Sequence, residues 1–357
     1  MASEKEIVYG TALGLLYYNN PRKVRYLITA AGNIEKAWAK ADGAEKETIL
    51  ARAEKELAFI HKHGIRTYYY LEEAYPQRLK ECSDAPVLLF GKGNIEPNEG
   101  KFVSIVGTRG ASDRGKELTR QLVLEMAHRV PNLTIVSGLA FGIDVAAHKA
   151  ALEAGIPTII IPAHGLDRIY PPQHRNIAIA ALERGGILTE YPSGMEPEKL
   201  NFVMRNRIIA GLADAVVVTE SKKKGGSLIT ARVALDYGRN VYAVPGRPSD
   251  MNSQGCNGLI REGRAMLIET AEDLIRDMNW ETKQGGVQTQ LEGLFPDLSE
   301  EEQEVMNILH ANEDGMHANG IVSQTGKAYA DVATTLMMLE MNGFVHALAG
   351  DFYRAVR

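Results

Sequence analysis

The stretch "SIVGTRGASDRG", residues 104–115, places a glycine-rich turn between a short apolar run and a segment with helical spacing. Many α/β proteins hold phosphate groups at such a turn, because the first backbone N–H groups of the helix point toward the ligand. Arg109 adds a cation to the turn. A tight connection with a solvated arginine would explain the same letters, so the function of the turn depends on the rest of the chain.

Apolar runs of strand length recur on both sides of this turn. Between them lie amphipathic segments of helical length, such as 115–130 and 142–155. Nearly continuous apolar strands that alternate with helices predict a parallel sheet covered on both faces, the doubly wound α/β class. The runs occupy residues 102–107, 133–138, 157–162, 186–190, 214–220, 240–245 and 265–269.

The two ends of the chain have different patterns. Residues 1–75 show helical spacing throughout, and the α/β pattern fills 76–278. A polar, weakly periodic stretch at 279–298 predicts a linker. Residues 299–357 begin with a capping-box-like "SEEEQ" and contain three helical segments and a hairpin around Ala-Gly-Asp, which predicts a winged helix.

Composition indicates a cytoplasmic globular protein. The chain has 357 residues and two distant cysteines, without a signal-peptide pattern or an apolar run of membrane-spanning length. Its net charge is −5, but residues 101–247 contain 19 Lys and Arg against 13 Asp and Glu. That region therefore carries +6 and the remainder −11. A basic centre between acidic ends is consistent with a polyanionic partner.

The glycine turn matches neither of two common nucleotide motifs. In a dinucleotide turn, G-x-G-x-x-G, the second glycine would fall where Arg109 stands. In a P-loop, the Ser or Thr that binds magnesium would stand where this chain has Glu117, and a carboxylate there would also repel the phosphates. We therefore expect neither NAD binding nor ATP hydrolysis.

The ends of the predicted strands carry small residues, cations and aromatic rings together. In a doubly wound sheet these ends meet at one edge, where ligands bind. Phosphate neutralisation combined with base stacking is what single-stranded nucleic acid requires. The aromatic candidates are Phe141, Tyr170, Tyr191 and Phe202, and the cations include Arg109, Arg175, Lys199, Arg205, Arg207, the run 222–224 and Arg247.

Five long blocks, in this order, resemble the DNA-processing protein A family, also called Smf. The resemblance implies an extended Rossmann-like sheet with an N-terminal helical, SAM-like domain and a C-terminal winged helix. It also implies a homodimer that binds single-stranded DNA and loads the recombinase RecA on it in natural transformation, with no catalytic residue, cofactor or metal. The blocks are "SGLAFGIDVAAHKAAL" (137–152), "GLDRIYPPQHR" (165–175), "FVMRNRIIAGLADAVVVTE" (202–220), "GGSLITARVALDYGRNVYAVPG" (225–246) and "GCNGLIREGRAMLI" (255–268).

The resemblance and the strand-end pattern together give the expected DNA-binding residues. Arg109 corresponds to the arginine of the family's G-[ST]-R turn, and Lys199 to the lysine before its F-x-x-R-N-R block. Phe141 departs from the family, which often has a basic residue there. The full set is Gly107, Arg109, Gly110, Ser137, Gly138, Phe141, Arg175, Lys199, Phe202, Arg205, Asn206, Arg207, Lys224, Gly226 and Ser227.

Several alternatives remain open on the sequence alone. Arg205 and Arg207 are two apart on a helix, so one is expected to contact phosphate and the other a carboxylate such as Glu190 or Glu220. Asp144 and His148 have the spacing of an acid–base pair, but we favour the interpretation that Asp144 caps the turn and that His148 is a packed or solvated ring.

The alternative function is a nucleotide-binding hydrolase similar to the phosphoribohydrolases. That family is marked by a P-G-G-x-G-T turn, and this chain has Pro-Gly-Arg-Pro at 245–248 in the similar place.

Overall fold

The computed structural model describes residues 2–18, 20–43, 45–280, 298–312, 315–342, 344–348 and 350–355. The chain divides after residue 282 into two compact units. Most of the predicted linker, 279–298, lies outside the described residues. The finer division of the first unit into 1–75 and 76–278 stays a prediction.

The first unit begins with four helices whose ends follow from local sequence signals. Ser3 and Glu6 form a capping box, Asn20 caps the second helix ahead of Pro21, and Gly64 ends the fourth in a left-handed conformation with φ 56°. Buried side chains such as Leu13 join these helices into one core. The helices are α1 Glu4–Leu16, α2 Pro21–Ala31, α3 Ile34–Lys40 and α4 Lys46–His63.

A mixed, mostly parallel sheet of nine strands forms the centre of the first unit. The strands are β1 Arg66–Tyr69, β2 Leu88–Gly93, β3 Lys101–Val106, β4 Leu133–Ser137, β5 Thr158–Ile160, β6 Gly186–Thr189, β7 Ala215–Val218, β8 Asn240–Ala243 and β9 Met266–Leu267. Their order is β1-β2-β6-β5-β4-β3-β7-β8-β9, antiparallel at β1/β2 and β2/β6 and parallel from β6 to β9. The predicted α/β fold with a mostly parallel sheet is confirmed.

Strand β1 corrects the prediction that residues 1–75 are helical throughout. It pairs antiparallel with β2, with Tyr68 opposite Leu89. Gly64 ends α4, and the Thr and Tyr residues that follow favour an extended, half-buried chain. The helical spacing upstream concealed this short strand.

Helices cover both faces of the sheet, and alternate residues of one strand enter two separate cores. In β7, Val216 and Val218 pack in one core, whereas Ala215 and Val217 pack in the other. The strands therefore need apolar side chains on both faces. The helices are α5 Gln77–Lys80, α6 Asp113–Arg129, α7 Ile143–Glu153, α8 Arg175–Arg184, α9 Lys199–Leu212, α10 Gly226–Asp236, α11 Gln254–Arg261 and α12 Ala271–Asp277, and a 3₁₀ turn, Pro172–His174, precedes α8.

Helix α9 is fastened to the sheet by polar contacts as well as by its apolar face. Ser104 of β3 donates its hydroxyl to the Ile209 carbonyl oxygen at 2.7 Å. The Arg207 guanidinium, in a side chain only 5% exposed, pairs with Glu190 at the end of β6 and donates to the Asp84 carbonyl oxygen at 2.8 Å. These bonds fix the register of α9 along the sheet edge.

The second unit is a small winged helix, as predicted. It contains α13 Glu300–His310, α14 Ala318–Thr325 and α15 Tyr329–Met341, with a sheet of β10 Met316–His317, β11 Val345–Leu348 and β12 Phe352–Ala355. The sheet order is β10-β12-β11, so a two-residue strand joins the predicted hairpin. Ile321, Leu336 and Val345 meet in its core.

In neither unit do the described residues include a helix that is long and apolar enough to span a membrane.

Replacing Arg207 by alanine is expected to destabilise the protein by about 3–5 kcal/mol, because the Glu190 carboxylate would stay largely buried without its cation. Urea denaturation at pH 7.5 measures the change. Arg109→Ala, on an exposed turn, is the matched control and should change the free energy of unfolding by less than about 0.5 kcal/mol. The double variant Arg207→Met/Glu190→Leu should recover most of the loss. A stable Arg207→Ala protein would show that this pair does not hold α9.

His148 makes the free energy of unfolding depend on pH. Its ring is fully buried, with Nδ1 2.8 Å from the Thr158 hydroxyl, and burial lowers its pKa to about 3. In the unfolded chain the pKa is about 6.5, so only the unfolded state binds this proton between those values. Stability should therefore fall as the pH drops below about 6.5, by up to about 1.4 kcal/mol per pH unit from this group.

The His148→Gln variant should show a shallower loss of stability than the wild type between pH 7 and pH 5. Denaturant titrations at three pH values measure both slopes, with the exposed His128→Gln as the control. An unchanged slope in His148→Gln would assign the pH dependence to other groups.

Candidate nucleic-acid interface

The carboxyl ends of β3 and β4 and the first turns of α9 meet around the ring of Phe202. The Arg109 guanidinium carbon lies 4.8 Å from the centroid of this ring, and that of Arg205 lies 5.9 Å from it. The Tyr170 ring is 6.1 Å away. Lys199 is exposed one turn earlier on α9. We call Arg109, Gly138, Lys199, Phe202 and Arg205 the strand-end site.

Arg205 is the buried anchor of the strand-end site. Its side chain is 3% exposed and donates to the carbonyl oxygens of Gly138, at 2.9 Å, and Ile161. A Cβ at Gly138 would lie 2.4 Å from the guanidinium, so only glycine leaves room for it. Burial lowers the pKa of Arg205, although the Asp144 carboxyl opposes this effect. Its hydrogen-bond donors face the protein.

Arg207 lies on another side of α9 and is also buried. Its pairing with Glu190 is one of the two pairings expected from the sequence. The expectation that the other arginine lies open to a phosphate is not supported, because both guanidinium groups bond to protein oxygens. The reason is that the part of α9 from Arg205 onward is largely buried, with contacts to β3 and to the connection around Asp84.

The start of α6 already holds an anion from the protein itself. The Glu220 carboxylate accepts from the Ser112 backbone N–H at 2.9 Å and from its hydroxyl at 2.5 Å. A Cβ at Gly115 would lie 2.3 Å from this carboxylate. The Gly110 N–H contacts the Thr108 hydroxyl at 3.3 Å. The expected help of backbone N–H groups near Gly110 in phosphate binding is therefore not supported, whereas Arg109 stays exposed.

The other predicted residues divide into outward and inward groups. Phe141 is 45% exposed, and Arg175, Lys224 and Gly226 are exposed as well. The hydroxyl groups of Ser137 and Ser227 bond inside the protein, to the Ile105 carbonyl oxygen at 2.6 Å and to the Ser221 hydroxyl at 2.9 Å. Asn206 accepts from Arg205 at 3.3 Å. Gly107 begins the turn after β3 and is half-buried.

The structure brings Arg109, after β3, and Tyr170, after β5, to the Phe202 ring, and it links the end of β4 to that ring through Arg205, but it does not bring the residues after β7 there. Among the described contacts, none joins Lys224, Gly226 or Ser227 to Phe202. Gly226 and Ser227 start α10, and Lys224 lies just before it. The chain after β7 does reach the turn after β3, because the Thr108 N–H donates to the Glu220 carbonyl oxygen at 2.8 Å.

Asp144 and His148 do not form an acid–base pair. The Asp144 carboxylate accepts from the Ala140 N–H at 3.4 Å and so closes the turn before α7. Burial raises the pKa of Asp144 and lowers that of His148 to about 3. The His148 ring is fully buried, so no substrate reaches it. In the described part of the chain, no three His, Cys, Asp or Glu side chains are grouped to hold a metal ion.

Sequence reasoning missed a histidine and a tyrosine near the site. The His174 ring lies edge-on to Phe141 at 4.8 Å, and its Nδ1 donates to the Leu139 carbonyl oxygen at 2.8 Å. Leu139 has a left-handed backbone, φ 61°, at the end of β4. Tyr18, at the end of α1, contacts Asn201 of α9. The one sequence feature that could have indicated His174 is its position beside the predicted Arg175. We identified no sequence feature that indicated Tyr18.

Two family models match this chain. The family model described as DNA recombination-mediator protein A matches residues 66–279, and a DprA winged helix domain model matches 294–351. Protein Smf from Escherichia coli K12 is 30% identical over 359 residues, covering 97% of this chain and 94% of its own.

Two solved structures are similar over most of the first unit or more. DNA processing protein A from Streptococcus pneumoniae has 34% identity and a TM-score of 0.66, covering 77% of this chain and 98% of its own. The Helicobacter pylori protein of that name, described for its single-stranded DNA binding mode, has 30% identity and a TM-score of 0.54, covering 60% and 95%. The chain thus belongs to the DNA recombination-mediator protein A family, which includes the proteins named DprA and Smf.

Proposed function

We propose that the strand-end site binds single-stranded DNA. The observation that carries the proposal is the exposed Arg109 beside the ring of Phe202, with exposed Lys199 one turn before that ring on α9. A cation held against a ring keeps few side-chain conformations, so it loses little freedom when it binds a phosphate. The single-stranded DNA binding described for the Helicobacter pylori relative supports the same conclusion.

In this proposal, exposed cations hold the phosphates and exposed rings stack on bases. Phe141 and Tyr170 are each 45% exposed, which leaves ring faces for unpaired bases. Contacts to phosphates and to the faces of bases do not distinguish one base from another by its hydrogen-bonding edge, so the site binds with little sequence preference. Arg175 and Lys224, both exposed, extend the positive surface along the edge.

The buried members of the predicted set position the contacting residues. The Arg205 guanidinium donates hydrogen bonds to two carbonyl oxygens at strand ends and lies beside Phe202, so it holds the ring in place. Arg207 anchors the same helix through Glu190. We assign both residues to the support of the site and leave direct phosphate contact to Arg109 and Lys199.

The cellular role that we propose follows the family resemblance: protection of incoming single strands and loading of RecA in recombination during natural transformation. We also propose a homodimer, supported by the edge strand β9, where Met266 and Leu267 are 41% and 49% exposed. A cytoplasmic location fits the two cysteines, which are buried and unpaired.

We propose that the protein has no catalytic activity. The alternative function, a nucleotide hydrolase, is less well supported than DNA binding. The start of α6, where a P-loop would cradle phosphates, is occupied by Glu220. A hydrolase also needs a reachable acid or base, and the one candidate pair at the strand ends is buried.

The protein should prefer single strands to duplex DNA of the same length and show little sequence preference, because base stacking needs unpaired bases. Fluorescence anisotropy with labelled oligonucleotides at two salt concentrations measures both affinities. Equal affinity for the two forms would contradict the stacking part of the proposal, and no binding to either would contradict the function.

Arg109→Ala should weaken single-strand binding by roughly ten- to a hundredfold, because a charge-assisted hydrogen bond contributes about 1.5–3 kcal/mol. The slope of log affinity against log salt should shrink by roughly 0.7, one phosphate's share on a single strand. Arg129→Ala, at the far end of α6, is the matched control and should leave both quantities unchanged. A variant with normal affinity and slope would exclude Arg109 from phosphate contact.

A further inference from the structure

The chain segment that leads into the strand-end site is held by the N-terminal helices. We call residues 190–198, between β6 and α9, the β6–α9 connection. The Glu56 carboxylate of α4, in a residue 5% exposed, accepts from the Ser193 backbone N–H at 2.9 Å and from its hydroxyl. One buried carboxylate therefore fixes both the backbone and the side chain of Ser193.

A second contact from the N-terminal helices reaches α9 itself. Tyr18, just beyond α1, donates its hydroxyl to the Asn201 side-chain oxygen. Asn201 is fully buried, and its amide donates to the Glu196 carbonyl oxygen at 2.9 Å. The Tyr191 hydroxyl donates to the Asn201 backbone oxygen at 3.2 Å. Asn201 thus joins Tyr18 to both ends of the β6–α9 connection.

Asn201 lies between Lys199 and Phe202, two of the residues of α9 that belong to the strand-end site. Any shift of the β6–α9 connection moves the first turn of α9, and with it the Lys199 cation and the ring beside Arg109. The Tyr18 hydroxyl proton is donated to Asn201, and the Glu56 carboxylate is an acceptor with a negative charge, so neither group offers a donor to a phosphate. Their effect on DNA must be on the geometry of the residues that do.

We propose that Tyr18 and Glu56 are positioning residues through which the N-terminal helices set the DNA affinity of the strand-end site. This inference rests on the proposed function and goes beyond it. The N-terminal helices thereby act in DNA binding without touching the DNA.

The experiment compares four variants of the full chain. Tyr18→Phe removes the bond to Asn201, and its matched control is Tyr17→Phe, whose hydroxyl donates to Asp42 within the N-terminal helices at 3.1 Å. Glu56→Ala removes the contact with Ser193, and the exposed Glu54→Ala, on the same helix, is its control.

Hydrogen–deuterium exchange without DNA is the first measurement. Tyr18→Phe and Glu56→Ala should speed exchange in peptides from 190–202 at least threefold, while both controls match the wild type. Unchanged exchange in these peptides would overturn the proposal, whether or not the protein binds DNA. A melting temperature within a few degrees of wild type shows that each variant is folded.

Anisotropy with a labelled oligothymidine strand is the second measurement. Tyr18→Phe should weaken binding roughly three- to tenfold, the loss typical of one hydrogen bond. The salt slope should stay at the wild-type value, since no phosphate contact is removed. Wild-type affinity in both test variants, or a reduced salt slope, would overturn the positioning role. Failure of the wild type to bind would instead reject the proposed function, and the exchange data would still decide whether the contacts hold the connection.

Discussion

The Arg205 guanidinium carries carbonyl oxygens from the ends of two neighbouring strands, and the strand-end site is built around it. Burying a cation without such partners would cost free energy, so the guanidinium requires hydrogen-bond acceptors at fixed positions around it. It requires glycine at 138, a helix that passes at the right distance, and a ring at 202 packed against it. The exposed residues of the site are then arranged on this buried, hydrogen-bonded base.

Two levels of polar contact follow from this arrangement. The inner level consists of bonds that are closed within the protein, such as Arg207 with Glu190 and Glu220 with Ser112. The outer level consists of side chains with free donors or free ring faces, such as Arg109, Lys199 and Phe141. The N-terminal helices belong to the inner level, because Tyr18 and Glu56 fasten the chain that enters α9.

The sequence predicted the sheet and the edge that carries the site, because alternation of apolar strands and helices is a local pattern. Strand β1 escaped prediction, since four residues beside a long helix leave no period of their own. The burial of Arg205 and Arg207 also escaped, because helical spacing gives the direction of a side chain but not what packs against it. The role of Glu220 also escaped prediction, because it depends on a contact with Ser112, which is 108 residues away in the sequence.

The carboxylate at the start of α6 has a consequence for selectivity among the phosphates of a cell. Free nucleotides and inorganic phosphate are small enough to enter a helix-start cradle, and they compete with nucleic acid wherever such a cradle is vacant. Here Glu220 takes the N–H and hydroxyl donors of Ser112, and its negative charge repels a second anion. In the proposed DNA site, a metabolite phosphate would gain one surface arginine and little else, whereas a polymer would engage Arg109, Lys199 and the rings at once. On that proposal, the built-in counter-anion makes chain length, rather than phosphate chemistry, the property on which the surface discriminates.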